Sequence, residues 1–358
     1  MNIPYVEAVS SEYAIRAKRL MDEKTKPIGA LGYVEEVACQ LAAIQQTIFP
    51  SVDTGIAIVF VADHGVAEEG VSAYPTVVTK QMAENFAHGG AAMNIITKSV
   101  GLELEIVDVG INSSDIHFDG VLNRRIRQGT RNIAIEPALT IEECSTAFQV
   151  GVERINNAAN NGFRCIVLGE MGIGNSTSAA ALISSLCHKQ PKQTVGPGTG
   201  VFGPALENKV SVVKKALNRA CNEDLWSILA NLGGLEICAL AGAMVAGAAK
   251  RIPIIVDGLI ASSAALWACR LEPKVRDYLF FGHQSPEPGH AIALQELNAT
   301  PLLRLDMRLG EGTGAALAYP ILLAATRILT QMASFKSAGV SRSDLMDEVQ
   351  YTANGIPE

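Results

Sequence analysis

The sequence predicts an α/β protein with a Rossmann-like, mostly parallel β-sheet and helices on both faces. Short apolar runs rich in β-branched residues alternate with segments of helical spacing, and most of these runs end in a glycine or a polar turn. This alternation is typical of parallel sheets, because a parallel strand is reached only through a crossover of helix length. A chain of 358 residues is long enough to bury such a sheet in a large core.

Six apolar runs are predicted strands, because each is short and most are followed by a turn of glycine or polar residues. These runs are Ile56–Ala62, Leu104–Val109, Arg164–Leu168, Pro253–Val256, Tyr278–Phe281 and Leu302–Leu305. Apolar residues at helical spacing predict the helices between them, which are Val77–Ser99, Ile141–Asn160, Ser178–His188, Leu206–Ala220, Leu225–Lys250 and Ser262–Leu271. We expect right-handed crossovers between the parallel strands.

Both ends of the chain also have helical spacing, over Ala14–Thr47 and Ala315–Gln331. We expect these ends to form a small helical subdomain, residues 1–50 and 315–358, beside a large α/β catalytic domain, residues 51–314. Ligands of open parallel sheets bind at the carboxyl ends of the strands. The functional site is therefore expected in the turns that follow the predicted strands.

Composition argues against several classes of function. The net charge is −7 and the sequence has no basic block, which argues against binding of nucleic acid or of an anionic membrane surface. The seven cysteines form no CxxC pair, and we interpret them as reduced core residues of a cytoplasmic protein. We predict no signal peptide and no membrane span, because the N-terminus is polar and the most apolar stretches are short or interrupted by charged residues or proline.

Two segments place a glutamate inside a glycine-rich turn. Gly169–Thr177 (GEMGIGNST) follows one predicted strand, and Arg308–Gly314 (RLGEGTG) follows another. Such turns direct a carboxylate and a row of backbone N–H groups toward one point. The N–H groups suit an anion such as phosphate, and the carboxylate suits proton transfer. We expect the two turns to line one cleft, with Glu170 and Glu311 as candidate catalytic residues.

Each of these turns also has a purely structural interpretation. Asn175 or Ser176 can cap a helix without binding phosphate, because a helix cap and a phosphate site use the same backbone geometry. Burying a glutamate in a turn costs folding free energy, and such burial is typically retained only where the carboxyl group has a functional role. Glu311 also has a glycine on either side, so we favour a functional role over a purely structural one for both turns. The first turn is neither a Walker A loop nor a dinucleotide-binding fingerprint, because it lacks the residues and spacing of both.

Two further motifs leave alternatives open. Asp63-His64-Gly65 ends a predicted strand, and we favour a structural role there over an acid–base pair or a metal site, because the six histidines are dispersed. Gly196–Gly203 is glycine-rich and precedes Lys209. It is either a mobile surface loop beside a solvated lysine or a flap whose Lys209 pairs with a phosphate.

Taken together, the motifs resemble those of the nicotinate-nucleotide:dimethylbenzimidazole phosphoribosyltransferase family, over nearly all of the chain. The segments that carry the resemblance are Lys26–Gly32, Ala62–Val66, Val107–Gly110, Gly169–Gly172, Asn208–Val210 and Arg308–Ala316. The resemblance implies transfer of 5-phosphoribose from nicotinate mononucleotide to an aromatic base, the lower ligand of a cobamide. Nicotinate leaves, and the anomeric centre inverts to give the α-linked nucleotide.

The resemblance also implies residue roles, and it implies that no metal or redox cofactor is needed. Glu311 would be the general base, and Glu170 would orient groups or stabilise the cationic sugar. The phosphate and ribose would be bound by Gly172, Gly174, Asn175, Ser176, Thr177, Lys209 and Gly312. Members of the family are usually dimeric.

The expected acceptor pocket departs from the family pattern. Benzimidazole-specific members carry Ser, Gln and Leu where this chain has Tyr74, Met82 and Met171. We expect these three residues and Leu309 to line the pocket for the acceptor base and to reshape a slot for a flat bicyclic ring. Some relatives transfer phosphoribose to phenol or p-cresol and work as pairs of unlike subunits. The expected acceptor is thus dimethylbenzimidazole or a phenol, and the expected assembly is a homodimer or a heterodimer with a paralogous subunit.

Three alternatives stay open from the sequence. The chain could be a non-catalytic partner subunit of a heteromeric transferase, although the presence of Glu170, Lys209 and Glu311 disfavours this. It could be an unrelated sugar-phosphate enzyme such as an isomerase, which release of free nicotinate would exclude. The three substituted residues of the acceptor pocket could also be ordinary core residues.

Overall fold

The computed structural model describes residues 3–114, 119–220 and 224–341. Within these residues seven strands form one sheet, all parallel, in the order β3-β2-β1-β4-β5-β6-β7. The strands are Gly55–Ala62 (β1), Glu103–Gly110 (β2), Leu122–Asn123 (β3), Cys165–Met171 (β4), Ile254–Val256 (β5), Leu279–His283 (β6) and Pro301–Leu303 (β7). The predicted parallel α/β sheet is therefore confirmed.

Helices cover both faces of this sheet. Side chains alternate between the two faces along a strand, and every residue of β1 and nearly every residue of β4 is buried. The helices are Ser11–Asp22 (α1), Tyr33–Gln45 (α2), Val77–Ala87 (α3), Ala92–Val100 (α4), Ile141–Asn160 (α5), Asn175–Leu186 (α6), Pro191–Thr194 (α7), Pro204–Arg219 (α8), Leu225–Leu232 (α9), Leu235–Ala249 (α10), Leu259–Leu271 (α11), Pro288–Glu296 (α12), Thr313–Gln331 (α13) and Phe335–Ala338 (α14).

The strand order explains where a ligand can bind. From β1 the chain proceeds to β2 and β3 at one edge, then returns to β4 on the other side of β1 and continues to β7. The order reverses between β1 and β4, and a parallel sheet opens a crevice at the carboxyl ends of the strands on either side of such a reversal. Ala62 and Met171 end these two strands, so the motifs that follow them meet at the crevice.

Two predicted helices are each divided by a pair of glycines. The segment predicted as one helix over Val77–Ser99 forms α3 and α4, which are separated at Gly89, where φ is +79°. The segment predicted over Leu225–Lys250 forms α9 and α10, separated at Gly233 and Gly234. A Cβ at Gly234 would lie 2.3 Å from His64 Cε1, so this break brings the backbone against a buried side chain.

Helices α7, α12 and α14 and strand β3 were not predicted. Helix α12 begins at Pro288, and its apolar residues show almost no amphipathic periodicity, because α6, α7 and α11 all pack against it. Strand β3 has only two residues, which is too short for a strand pattern to be recognised.

The two ends of the chain meet in the structure. Helix α1 packs against α2, and α2 packs against α13. The Thr25 N–H donates to the Ala333 carbonyl over 3.1 Å, and the Phe335 N–H donates to the Glu23 carbonyl over 3.1 Å. Helix α13 also packs against β4, β5 and β6, so it belongs to the cover of the sheet as well. The boundaries of a separate helical subdomain stay a prediction, and residues 342–358 of it lie outside the described residues.

One helix, α13, is long and apolar enough to cross a membrane by length and composition alone, although we predicted no membrane span. It contains Pro320, and 56% of its most apolar window is buried inside the protein. Because the buried face packs on the sheet and on α2, the apolar character is accounted for by the protein core.

Candidate active site

A cavity of about 580 Å³ opens at the carboxyl ends of the strands, beside the reversal of strand order. Both glutamate turns line it, as predicted from their positions after strands. The lining residues are Tyr74, Val78, Met82, Asn85, Gly90, Ala91, Ala92, Glu170, Met171, Gly172, Ile173, Asn175, Ser176, Gly198, Thr199, Gly258, Leu259, Ile260, His283, Ser285, Glu287, Arg308, Leu309, Gly310 and Glu311.

Glycines allow the two glutamate turns to touch. A Cβ at Gly169 would lie 2.3 Å from the Glu311 carbonyl oxygen, and a Cβ at Gly310 would lie 2.7 Å from Glu170 Oε1. Gly310 and Gly312 have φ of +83° and +88°, and Glu311 between them also has a positive φ, of +64°. This left-handed backbone is uncommon for a residue with a side chain and is retained where the surroundings enforce it. The turn therefore holds the Glu311 backbone in one conformation, with its side chain in the cavity wall.

Glu311 is a buried carboxyl group prepared for proton transfer. Burial, together with the negative charge of Asp257, raises the pKa of Glu311 to about 7, while a hydrogen bond from the Met93 backbone opposes that rise. Its Oε2 atom is buried and has no hydrogen-bond partner among the described residues. A general base acts in its deprotonated form and is most effective when its pKa lies near the working pH, which is where burial places Glu311.

Glu170 also has a raised pKa, in surroundings that carry several other carboxyl groups. Burial raises the pKa of Glu170 well above its usual range, and the nearby carboxylates of Glu236 and Asp257 raise it further. Asn175 Nδ2 donates to Glu170 Oε2 and partly offsets this effect. This raised pKa favours the protonated form of Glu170, which donates a hydrogen bond and cannot accept a proton.

Asp257 fixes the loop that carries Glu311. The carboxylate follows β5 and accepts hydrogen bonds from the Gly312 N–H over 3.2 Å and from the Ala315 N–H over 2.9 Å, at the start of α13. Free N–H groups at a helix N-terminus are stabilised by such a carboxylate. His283 Nε2 lies 3.5 Å from Asp257 Oδ1 on the other side. Sequence reasoning noted both strand ends but assigned neither residue a role.

The predicted phosphate turn lies partly in the cavity wall. Gly172, Asn175 and Ser176 line the cavity, whereas Gly174, Thr177 and Gly312 do not. The Ile173 N–H donates to Thr79 Oγ1 over 3.1 Å, which anchors the turn to α3. Helix α6 begins at Asn175, so its free N–H groups face the same region.

Lys209 lies beneath this turn and is not a solvated surface residue. It is 1% exposed, and its Nζ donates to Ser176 Oγ and to the Gly196 carbonyl, each over 3.0 Å. Burial lowers the pKa of Lys209 to about 8, while the charge of Glu287 opposes that shift. Lys209 thus remains mostly protonated at neutral pH and places a positive charge one side chain away from the cavity. Its burial argues against the solvated-lysine alternative.

The Asp63-His64 motif supports the turn from behind. His64 Nε2 lies 2.6 Å from Glu236 Oε1, and His64 Nδ1 lies 3.0 Å from Ser178 Oγ, in a fully buried chain of polar groups. A Cβ at Gly174 would lie 3.1 Å from His64 Cβ, so the histidine packs directly under the turn. In the part of the chain that the structure describes, no cluster of three or more His, Cys, Asp or Glu side chains could hold a metal ion.

The four residues expected at the acceptor base all line the cavity. Tyr74 and Leu309 are 55% and 57% exposed, and Met82 and Met171 are half-buried, so none is an ordinary fully buried core residue. Val78 and Asn85 line the same part of α3 and were not predicted. Val78 lies four residues after Tyr74 and four before Met82, and Asn85 lies three residues after Met82. This helical spacing is the signal that could have identified both residues.

The turn after β6 also supplies lining residues that sequence reasoning missed. His283, Ser285 and Glu287 all face the cavity, and His283 Nδ1 and Glu287 Oε2 are buried without a hydrogen-bond partner among the described residues. The sequence signal was a polar run, Gly282–Pro288, directly after a strand.

Comparisons with known proteins agree with this geometry. A sequence model described as "Phosphoribosyltransferase" matches residues 6–340. A nicotinate-nucleotide–dimethylbenzimidazole phosphoribosyltransferase from Geobacter sulfurreducens is 44% identical over 338 residues, which cover 94% of this chain and 96% of that protein. A protein of the same name from Cupriavidus necator is 45% identical over 344 residues, which cover 95% and 99% of the two chains.

The similarity extends to a solved structure. The crystal structure of CobT from Thermus thermophilus superposes with a TM-score of 0.90 at 44% sequence identity, covering 93% of this chain and 100% of that chain. The parallel sheet, the cavity at its strand reversal and the paired glutamates define an α/β enzyme of the phosphoribosyltransferase class. The chain belongs to the phosphoribosyltransferase family whose relatives carry the name nicotinate-nucleotide–dimethylbenzimidazole phosphoribosyltransferase.

Proposed function

We propose that this enzyme transfers 5-phosphoribose from nicotinate mononucleotide to an aromatic acceptor and forms an α-linked nucleotide for cobamide assembly in the cytoplasm. The observation that carries the proposal is Glu311, a buried carboxyl group whose pKa is raised to about 7, in the same cavity as an anion-binding turn. The names of the relatives, which state this donor and dimethylbenzimidazole, support the same reaction.

The donor is held through its phosphate. Lys209 supplies a positive charge, Ser176 supplies a hydroxyl group that lies 3.0 Å from Lys209 Nζ, and the start of α6 supplies N–H groups. Anchoring the phosphate fixes the distance between the anomeric carbon and the acceptor, which turns an encounter of two molecules into a reaction within one complex.

The chemical step is a displacement at the anomeric carbon. A ring nitrogen or a phenol oxygen of the acceptor forms the new bond, the bond to nicotinate breaks, and its electron pair neutralises the pyridinium nitrogen of the leaving nicotinate. The acceptor's proton passes to the Glu311 carboxylate. The pKa of Glu170 is raised by burial, which favours the protonated form that can donate a hydrogen bond to the substrate. The Glu311 carboxylate, before it accepts the proton, also stabilises positive charge that builds up on the ribose.

The acceptor pocket supports phenol or p-cresol as well as dimethylbenzimidazole. A phenol attacks through the oxygen that carries its proton, and its pKa is near that of tyrosine, about 10, so a base beside the oxygen is needed. Tyr74 lines the cavity and brings a hydroxyl group that can hold that oxygen, and the flexible thioethers of Met82 and Met171 can adjust to a ring system of either size.

A second subunit is the other part of the proposal, either a copy of this chain or a paralogue. The outer side of α13 forms a mostly apolar surface groove, lined by Pro320, Leu323, Ala324, Ile328 and Met332 together with Arg327 and Gln331. An exposed apolar groove of this kind suits burial against another subunit. Light scattering on the purified chain, alone and mixed with a paralogue from the same cell, measures which assembly forms.

Product analysis tests the reaction and the acceptor together. The enzyme is incubated with nicotinate mononucleotide and an equal mixture of dimethylbenzimidazole, adenine, phenol and p-cresol, and products are identified by mass spectrometry. We expect nicotinate release and an α-linked nucleotide of at least one acceptor. Failure to release nicotinate with any acceptor would support the alternative of a non-catalytic partner subunit.

Replacing the acceptor-pocket residues should change acceptor choice. We expect Tyr74→Ser, Met82→Gln and Met171→Leu together to lower kcat/KM for phenol relative to dimethylbenzimidazole by about 10-fold or more, since contacts of this kind are worth about 1–3 kcal/mol. Ile95→Leu, at an exposed position of α4 outside the cavity, is the control. An unchanged ratio between the two acceptors would mean that these residues do not set acceptor choice.

Removal of the Lys209 charge should weaken donor binding selectively. We expect Lys209→Ala to raise KM for nicotinate mononucleotide by about 10- to 100-fold, because a hydrogen bond to a charged group contributes about 1.5–3 kcal/mol, and to change KM for the acceptor much less. Lys215→Ala, at an exposed position of the same helix, is the matched control. An unchanged KM for the nucleotide in a folded variant would remove Lys209 from the phosphate site.

A further inference from the structure

The glycine-rich segment of residues 196–203, the flap, rests on the proposed phosphate site. Lys209 Nζ donates to the Gly196 carbonyl over 3.0 Å, and the Gly198 N–H donates to Glu287 Oε1 over 2.8 Å. A Cβ at Gly198 would lie 2.7 Å from Ser176 Oγ and 2.8 Å from Lys209 Nζ. The flap backbone is thus in direct contact with the groups proposed to bind the donor phosphate.

The tip of the flap is bound to the loop that carries Tyr74. Thr199 Oγ1 accepts a hydrogen bond from the Ala73 N–H over 3.1 Å and shares a second with Ser72 Oγ, also over 3.1 Å. Ser72 Oγ in turn accepts from the Tyr74 N–H over 3.2 Å. The Thr199 hydroxyl group therefore bonds to two residues of the loop directly and reaches Tyr74 through Ser72, and both Thr199 and Tyr74 line the cavity.

We propose that Thr199 is a positioning residue for the acceptor, which connects the phosphate site to the loop that carries Tyr74. The phosphate site and Thr199 are close along the chain. Gly196 and Gly198 contact the phosphate site, and Thr199 is the residue after Gly198. Lys209 Nζ has three N–H donors, two of which bond to Ser176 Oγ and the Gly196 carbonyl, so a phosphate that draws the ammonium group toward itself also pulls on the flap backbone. Thr199 carries any such movement to the acceptor loop. The inference rests on the proposed function, because it assigns the acceptor to the Tyr74 side of the cavity.

The geometry distinguishes this role from simple loop closure. A contact that only stabilised the flap could be made by any of its residues with any neighbouring segment. Here the Thr199 side chain both lines the cavity and binds the backbone of the loop beside Tyr74. The glycines beside it have φ of +53° at Gly198 and +118° at Gly200, so the flap turns sharply on each side of Thr199 and presents it to the loop.

The test compares two substitutions of Thr199. Thr199→Val keeps the shape and removes both hydrogen bonds, whereas Thr199→Ser keeps the hydroxyl group. We expect Thr199→Val to raise KM for phenol and for dimethylbenzimidazole by roughly 5- to 30-fold, as two hydrogen bonds predict. Thr199→Ser should restore the wild-type value. Because coupling between two ligands is reciprocal, the donor is measured without the acceptor, and the Kd for nicotinate mononucleotide in the absence of acceptor should change less than about 2-fold in both variants. Unchanged acceptor KM in Thr199→Val, or an equal rise in that donor Kd, would overturn the proposal.

A double-mutant cycle and a binding measurement complete the test. Because Thr199 and Ser72 share a hydrogen bond, Ser72→Ala added to Thr199→Val should raise the acceptor KM less than the product of the two single effects. Calorimetry of dimethylbenzimidazole binding, with and without inorganic phosphate, needs no turnover. We expect phosphate to tighten acceptor binding in the wild-type enzyme and not in Thr199→Val. Equal acceptor affinities of the two proteins would contradict the role of Thr199 even if no transfer activity were found.

Discussion

Glu311→Gln is expected to lower kcat for phosphoribosyl transfer by about 10²- to 10⁴-fold, the usual effect of losing a general base. Gln has nearly the same shape as Glu but cannot accept the proton of the acceptor. Substrate binding and the fold should remain close to wild type, because the backbone turn at Glu311 is held by Asp257 through Gly312 and Ala315 rather than by the Glu311 side chain. Single-turnover measurement of nicotinate release checks the chemical step directly.

Glu170→Gln is the matched control for that variant. The raised pKa of Glu170 favours its neutral form, and Gln retains both an acceptor for Asn175 Nδ2 and a hydrogen-bond donor. We therefore expect a loss much smaller than that of Glu311→Gln. If Glu311→Gln retained wild-type turnover and Glu170→Gln lost it, the base would be Glu170 instead.

The pH dependence of the wild-type enzyme follows from the same raised pKa. The pKa of Glu311 lies at about 7, and a general base acts in its deprotonated form, so kcat/KM should fall as the pH drops through that value. An ordinary exposed glutamate would lose activity only near its normal pKa, about 4.3. A profile that stays flat from neutral pH down to about pH 5 would contradict Glu311 as the base.

Sequence patterns predicted the sheet because its strands are buried on both faces and therefore read as continuous apolar runs with turns at their ends. The same logic predicted that the two glutamate turns share one cavity, since carboxyl ends of parallel strands meet at one edge of the sheet. The breaks at Gly89 and at Gly233–Gly234 were missed because the apolar spacing continues across them. A glycine within a helical pattern does not by itself tell where the chain must turn.

The contacts of the site that were not predicted from the sequence join residues that are far apart along the chain. Asp257 holds the N–H groups of Gly312 and Ala315, and Glu236 pairs with His64. No local period connects such partners, because only the fold brings the end of β5 to the start of α13 and the start of α10 to the end of β1. The degree of protonation of Glu170 and Glu311 also depends on burial in the folded chain, which is why the sequence alone left the choice of base open.

Gly169→Ala is expected to lower kcat by about 100-fold, since a displacement of about 1 Å at a reacting group costs about that much. Gly169 lies in β4 with a backbone conformation that alanine can adopt, so the expected effect arises from steric overlap of the added Cβ and not from backbone strain. Its Cβ would lie 2.3 Å from the Glu311 carbonyl oxygen, 2.6 Å from the Glu311 carbonyl carbon and 2.8 Å from the Gly312 nitrogen. These are backbone atoms, so the whole Glu311 turn must move.

We expect this displacement to lower kcat while the sheet keeps its structure. The sheet pairing of Gly169 with Val59 uses backbone groups that alanine retains, so β4 should keep its place while the Glu311 turn shifts. We therefore expect kcat to fall while KM for nicotinate mononucleotide changes little, since Ser176 lies on α6 and Lys209 on α8, and neither belongs to the turn that moves. Gly162→Ala is the control: its φ of +82° makes the substitution strained, yet nothing lies within 4 Å of the added Cβ. That variant should lose stability, measured as Tm, at unchanged kcat. If Gly169→Ala kept wild-type kcat, contact between the two turns would not be what orients Glu311.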